Sequence, residues 1–141
     1  MNRVLFLLLA VVGALAALDF ILRRFQAPRA ASIADPAFLR SLVSNKYPLY
    51  EITDDTPSWI TQDLQAGFLA LVDGDCALAM VFGDNYVIRI LSHGALKRLE
   101  PSGDDTLTLG LRDTTIGERS FRFAAVEHRD AVAELLKSMV E

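Results

Sequence analysis

Residues 68–91 read FLALVDGDCALAMVFGDNYVIRIL. Three apolar runs, Phe68–Val72, Cys76–Phe82 and Tyr86–Leu91, are separated by Asp73-Gly74-Asp75 and Gly83-Asp84-Asn85. Short β-prone runs split by tight-turn residues predict strands joined by hairpins, and so an antiparallel meander. The middle run has a second property. Leu78, Met80 and Phe82 alternate with Ala77, Ala79 and Val81. A strand apolar on both faces predicts cover on both sides, the large side chains toward a core and the small ones under a helix or partner.

Downstream, Ser92-His93-Gly94 turns the chain into a short strand, Ala95–Glu100, and residues 101–105 form a loop of turn formers. Leu107, Leu109 and Leu111 then alternate with Thr106, Thr108 and Arg112, and Phe121 and Phe123 alternate with Ser120 and Arg122. Period-two patterning of this kind predicts strands buried on one face and wet on the other. A last helix is predicted over Glu127–Val140, where Val132, Leu135, Leu136, Met139 and Val140 make an apolar stripe. Asp130 is expected in its first turn and Lys137 in its last.

Upstream, Asp35-Pro36 reads as a helix cap followed by proline at the first helical position. Phe38, Leu39, Leu42 and Val43 give that helix an apolar face, and Asn45 with Pro48 ends it. Leu49–Thr53 is expected as a short strand. Thr56-Pro57 repeats the cap-then-proline signal, predicting a second short helix over Ser58–Gln65 with Trp59, Ile60 and Leu64 inward.

The first residues have a different character. Val4–Leu22 is apolar or small throughout except for Asp19. As a helix rising ~1.5 Å per residue it matches the ~30 Å hydrocarbon core of a bilayer. The expected organisation is therefore a single-pass membrane anchor over 1–25, a juxtamembrane linker and short helix over 26–46, and a domain over 47–141. Basic residues flank the anchor: Arg3 before it, and Arg23, Arg24 and Arg29 after it. That distribution favours a cytoplasmic domain, with a periplasmic or extracellular one as the alternative. A cleaved signal peptide is the competing reading, since Ala14-Leu15-Ala16 fits a small-x-small cleavage pattern and would release a chain starting at Ala17. Ala10, Gly13, Ala14 and Ala17 fall at helical spacing on one face, a surface on which two helices in lipid can pair closely.

Charge divides the chain in the same place. Residues 1–31 carry a formal +3 and residues 32–141 a formal −7. An acidic domain whose basic residues come singly, or as the pair Lys97-Arg98, disfavours nucleic acid as a partner. No glycine-rich phosphate loop occurs. Two histidines and the lone Cys76 are too few and too scattered for a zinc site. Asp73, Asp75, Asp84, Asp104 and Asp105 read as turn residues, without the loop a calcium site needs. His128-Arg129-Asp130 spells the kinase catalytic triplet, but the asparagine expected five residues on is Leu135. No nucleophile has a recognisable base. The expectation is a non-enzyme without cofactor or metal.

An α+β chain of six or seven strands in a meander, closed by one amphipathic C-terminal helix, resembles the pleckstrin-homology-like fold. Thr106–Val140 carries the likeness most closely: a leucine-alternating strand, the polar turn Asp113–Glu118, an aromatic strand with Phe121 and Phe123, and the terminal helix. The resemblance implies a bent barrel plugged by the helix and used for binding. Lipid-binding members place basic residues in the loop after the first strand. Here that loop holds Asp54, Asp55 and Asp63, or Asp73-Gly74-Asp75, and no Lys or Arg. Anionic lipid headgroups are thus disfavoured as ligands of the domain. The expected function is a membrane-tethered interaction module that binds a protein or serves as a small subunit of a membrane complex. The alternative is a secreted or periplasmic binding domain released from its leader.

Overall fold

A polar surface and one apolar stripe suffice for most helices of small proteins; the first helix here is apolar or small on every side from Val4 to Leu18. In the computed structural model, which describes residues 2–26 and 31–140, α1 spans Asn2–Gln26, and its side chains from Asn2 to Ile21 are exposed. The chain divides into two units, Met1–Ala30 and Ala31–Glu141.

The second unit begins with α2 (Pro36–Lys46), which starts where the cap signal placed it. Asp35 is extended, and its Oδ1 accepts the Phe38 N–H at 2.8 Å. Seven strands follow: β1 (Ser58–Ile60), β2 (Ala66–Ala70), β3 (Cys76–Phe82), β4 (Asn85–Leu91), β5 (Leu96–Ser102), β6 (Thr106–Leu111) and β7 (Glu118–Arg122). They form two antiparallel sheets, β1-β2-β3-β4 and β5-β6-β7. The chain closes with α3 (Val126–Leu136) and a 3₁₀ turn, Lys137–Met139.

The α+β class and the antiparallel meander are thus present, but the strands do not close into a barrel. No ladder joins β4 to β5 or β7 to β1 among the described residues. The turn at Ser92-His93-Gly94 separates one pair. The other meets through the Gln62 N–H, which donates to the Arg122 carbonyl at 2.8 Å, and β1 is three residues long.

The four-stranded sheet lies between two apolar clusters. Phe68, Cys76, Leu78, Met80 and Leu91 face the three-stranded sheet, meeting Leu107, Leu109, Leu111, Phe121 and Phe123 together with Val132 and Leu136 of α3. Phe68 is central: its ring meets Phe121 edge-on at 5.2 Å and Phe123 at 5.8 Å. The opposite face presents Leu69, Ala77, Ala79 and Ile88 to Ile33, Leu39 and Val43. The small residues of β3 thus lie under α2, as the alternation in 76–82 required. Gly67 belongs to the same logic. A β-carbon there would stand 2.8 Å from Leu39 Cδ2, closer than carbon atoms pack, so α2 sits against bare backbone.

Three local expectations are corrected. Ser58–Gln65 is no helix: Ser58, Trp59 and Ile60 pair with Leu69, Phe68 and Gly67. So short a segment is a marginal helix, whereas the free edge of β2 offers ladder bonds immediately. Leu64 then takes a left-handed backbone, φ 62°, which a helix cannot contain. Leu49–Thr53 makes no ladder; Pro48 and Leu49 occupy a turn in which the Tyr50 N–H donates to the Tyr47 carbonyl at 3.2 Å. The last helix is shorter than its apolar stripe. Glu127, not Asp130, is the acid of its first turn, and Lys137 falls in the 3₁₀ turn.

An ion pair links the two sheets at their open side. Arg89 lies opposite Leu78 in the ladder, and its Nε donates to Asp113 Oδ2 in the β6–β7 turn at 2.8 Å. That hydrogen bond, with one from the Thr115 N–H, holds the Asp113 carboxyl below the usual carboxylate range. Asp105 is lowered in the same way, chiefly by Arg122. A carboxyl that binds its proton less tightly when folded stabilises the fold above its unfolded pKa of ~3.9, and the gain is lost as pH falls through its folded value. The urea midpoint of the full chain in mild detergent is therefore expected to fall as pH drops below ~4. Arg89→Ala should flatten part of that decline. Equal slopes in both proteins would show that the pair contributes nothing.

Candidate functional site

Length and apolarity make α1 the first candidate. Asn2–Ile21 is long and apolar enough to cross a membrane, a property that a signal sequence near an N-terminus shares. Phe6, Leu9, Val12, Leu15 and Phe20 are all exposed and point around the helix. Water is a poor solvent for such a surface, at ~25 cal/mol per Å² of apolar area. Arg3 stands at its start. Arg29 lies outside the described residues, as do the side chains of Arg23 and Arg24. Ala10, Gly13, Ala14 and Ala17 share one exposed face, and nothing lies within 4 Å of a β-carbon built at Gly13.

In the second unit a broad opening lies between β5 and α3. Leu99 and Pro101 from the strand and Ala133 from the helix form its apolar floor; Asp130, Glu134 and Lys137 form its rim, around some 400 Å³. β5 is an edge strand. Its outer side is already used once, where Val140 makes a parallel bridge to Leu96. Beyond that bridge no strand lies against it among the described residues. Pro101 has no N–H to offer, so a visiting chain would be held there by side chains rather than by a full ladder.

A smaller cleft of about 120 Å³ lies where the β1–β2 connection meets β7. Thr61 is its buried polar residue. The Thr61 hydroxyl donates to Asp63 Oδ1 at 2.7 Å and accepts from the Ala66 N–H at 3.1 Å. Arg119 stacks over the Phe82 ring at 4.6 Å. These groups satisfy one another. The β1–β2 connection is Thr61–Gln65, with Asp63 as its one charged residue and no Lys or Arg.

The residues that suggested chemistry have structural duties. Arg129 of the His-Arg-Asp triplet donates to Asp130 Oδ1 at 2.8 Å and to the Gly103 carbonyl at 3.0 Å, fastening α3 to the β5–β6 turn. His93 Nδ1 lies 2.9 Å from the Ser138 carbonyl and holds the 3₁₀ turn. Cys76 is fully buried in the core, and burial pushes its thiol up to about 12. Among the described residues no three His, Cys, Asp or Glu side chains stand together as a metal site would need.

The groove had no sequence signal. Leu99, Pro101 and Ala133 come together only because α3 folds back along β5, a tertiary event that leaves no local periodicity. No family model, no curated protein and no solved structure matches this chain.

Proposed function

We propose that this chain is a membrane-tethered, non-catalytic interaction module: α1 resides in lipid, and the second unit binds a protein segment in the groove between β5 and α3. The observation that carries the reading is α1 itself, whose apolar surface is exposed on every side. The order of the elements supports a pleckstrin-homology-like architecture for the second unit, since a four-stranded and a three-stranded antiparallel sheet are followed by one C-terminal helix. Folds of that kind bind rather than catalyse, though fold alone does not assign a partner.

Groove chemistry narrows the partner's character. Asp130 is held by Arg129 and Lys137 is itself cationic, so the apolar floor beside Glu134 favours a segment presenting one or two apolar side chains next to a single Lys or Arg. The formal −7 of residues 32–141 attracts such a segment at a distance. A photoreactive amino acid placed at Ala133 is expected to give a discrete crosslinked adduct in native membranes, and the same probe at exposed Thr114 is not. Glu134→Lys should remove the adduct. Identical adducts from both positions, or an adduct indifferent to Glu134→Lys, would refute the groove as the docking site.

A further inference from the structure

The turn after α2 presents an apolar residue in a manner no core requirement explains. Tyr47 caps α2, its N–H donating to the Val43 carbonyl at 2.8 Å. Tyr47-Pro48-Leu49-Tyr50 then closes as a turn through the Tyr50 N–H. Proline at the second position fixes the backbone and sets Leu49 at the apex. Leu49 is 99 % exposed, against 77 % for Val72 and 39 % for Leu64 and Val126, the other exposed large apolar residues of this unit among those described. A single exposed leucine is ordinary. This one has company: Tyr47 and Tyr50 flank it with rings 6.2 Å apart and edge-on, and the Lys46 ammonium lies 5.8 Å from the Tyr47 ring centroid. The mount is firm, because both rings pack against the apolar cluster under α2 and the Tyr47 hydroxyl reaches the Ile88 carbonyl at 3.5 Å.

We propose that the Lys46–Tyr50 turn is a membrane-docking finger, with Leu49 entering the headgroup boundary of the bilayer that holds α1. The inference rests on the anchored reading above. Its chemistry is that of the water–lipid boundary: amphipathic tyrosines at headgroup depth, a lysine whose stem follows the apolar surface while its charge stays wet, and a leucine beyond them. The tether makes the occupant a lipid surface. α1 runs to Gln26, and the six residues 27–32 between it and buried Ile33 of the second unit can reach ~22 Å at most. A unit of this size is itself ~35 Å across. The turn therefore samples the bilayer at high effective concentration. One buried leucine then favours the docked over the free orientation about tenfold or more. Attraction to anionic lipid is no part of this, because Lys46 is followed by Glu51, Asp54 and Asp55 on an acidic unit.

The test uses the full chain in vesicles of zwitterionic phosphatidylcholine. A fluorophore is attached at Asn45→Cys, beside the turn, or at Asp104→Cys in the β5–β6 turn; buried Cys76 stays unlabelled. Brominated acyl chains report proximity to lipid. The Asn45 probe is expected to be quenched, the Asp104 probe not, and Leu49→Asp should abolish the quenching without unfolding so exposed a site. Flotation of the same samples after a high-salt wash reports on α1 separately. A chain that floats while its Asn45 probe is unquenched, or is quenched equally with Leu49→Asp, overturns the finger and leaves the anchor standing. A chain that does not float overturns both.

Discussion

Phe68→Ala is expected to lower the unfolding free energy of the second unit by about 3–5 kcal/mol, the range for truncating a fully buried aromatic residue. Phe68 is wholly inaccessible to solvent and lies where the two sheets meet, with the Phe121 ring 5.2 Å away and edge-on. Removing it deletes apolar burial and an aromatic pair worth ~0.5–1.5 kcal/mol beyond that burial. The cavity cannot collapse easily, since its walls belong to two separate ladders. Against a typical margin of 5–15 kcal/mol the loss is large. Urea unfolding of the full chain in mild detergent, followed by the fluorescence of the single Trp59, measures it directly. Leu49→Ala should leave the midpoint where it is. A Phe68→Ala shift worth under ~1 kcal/mol would mean that the sheets do not share one core.

That core was largely readable from residue order. Alternation in Leu107-Thr108-Leu109 and in Phe121-Arg122-Phe123 follows from pleat geometry, which puts successive side chains on opposite faces wherever a strand is half buried. The alanines at 77 and 79 disclosed a second layer, because small side chains facing away from a core make sense only beneath something. Gly67, directly across from Ala79, completes the flat patch on which Leu39 rests. The helix expected over Ser58–Gln65 fails for an equally physical reason. Its cap-like Thr56 and Pro57 are genuine local signals, but Thr56 serves a turn: its Oγ1 accepts the Thr53 N–H at 2.9 Å, and its carbonyl takes the Arg40 side chain. The edge of β2 then decides the matter from a distance. Closure of the sheets depended on whether three-residue β1 could reach β7, and no local pattern encodes that. The candidate sites divide in the same way. The apolar helix is legible because a span of that length demands a contiguous run, whereas the groove beside β5 and the exposed turn at Leu49 depend on where α3 and α2 end in space.

Two arginines at the middle of α1 are expected to have the largest effect of any change in the chain. Val12→Arg with Leu15→Arg places both guanidinium groups near the centre of Val4–Leu22, where each costs about 2.5–3.5 kcal/mol on insertion scales and the residue it replaces contributes favourably. The flanks cannot rescue them, since a side chain that deep snorkels poorly from either end. Sedimentation of cell membranes after an alkaline wash should find the parent chain in the pellet and the double variant in the supernatant or degraded. Val12→Ile with Leu15→Ile should sediment like the parent, which separates apolarity from any requirement for those particular side chains. N-terminal sequencing of the mature chain discriminates the competing leader. A start at Ala17 would mean that Met1–Ala16 is removed, and the loss seen with arginine would then reflect failed export rather than failed anchoring. A start at Met1 or Asn2, together with loss from the pellet on arginine substitution alone, leaves lipid as the solvent that α1 was built for. The absence of a polar face from Val4 to Leu18 then has its explanation: every direction around that stretch meets hydrocarbon.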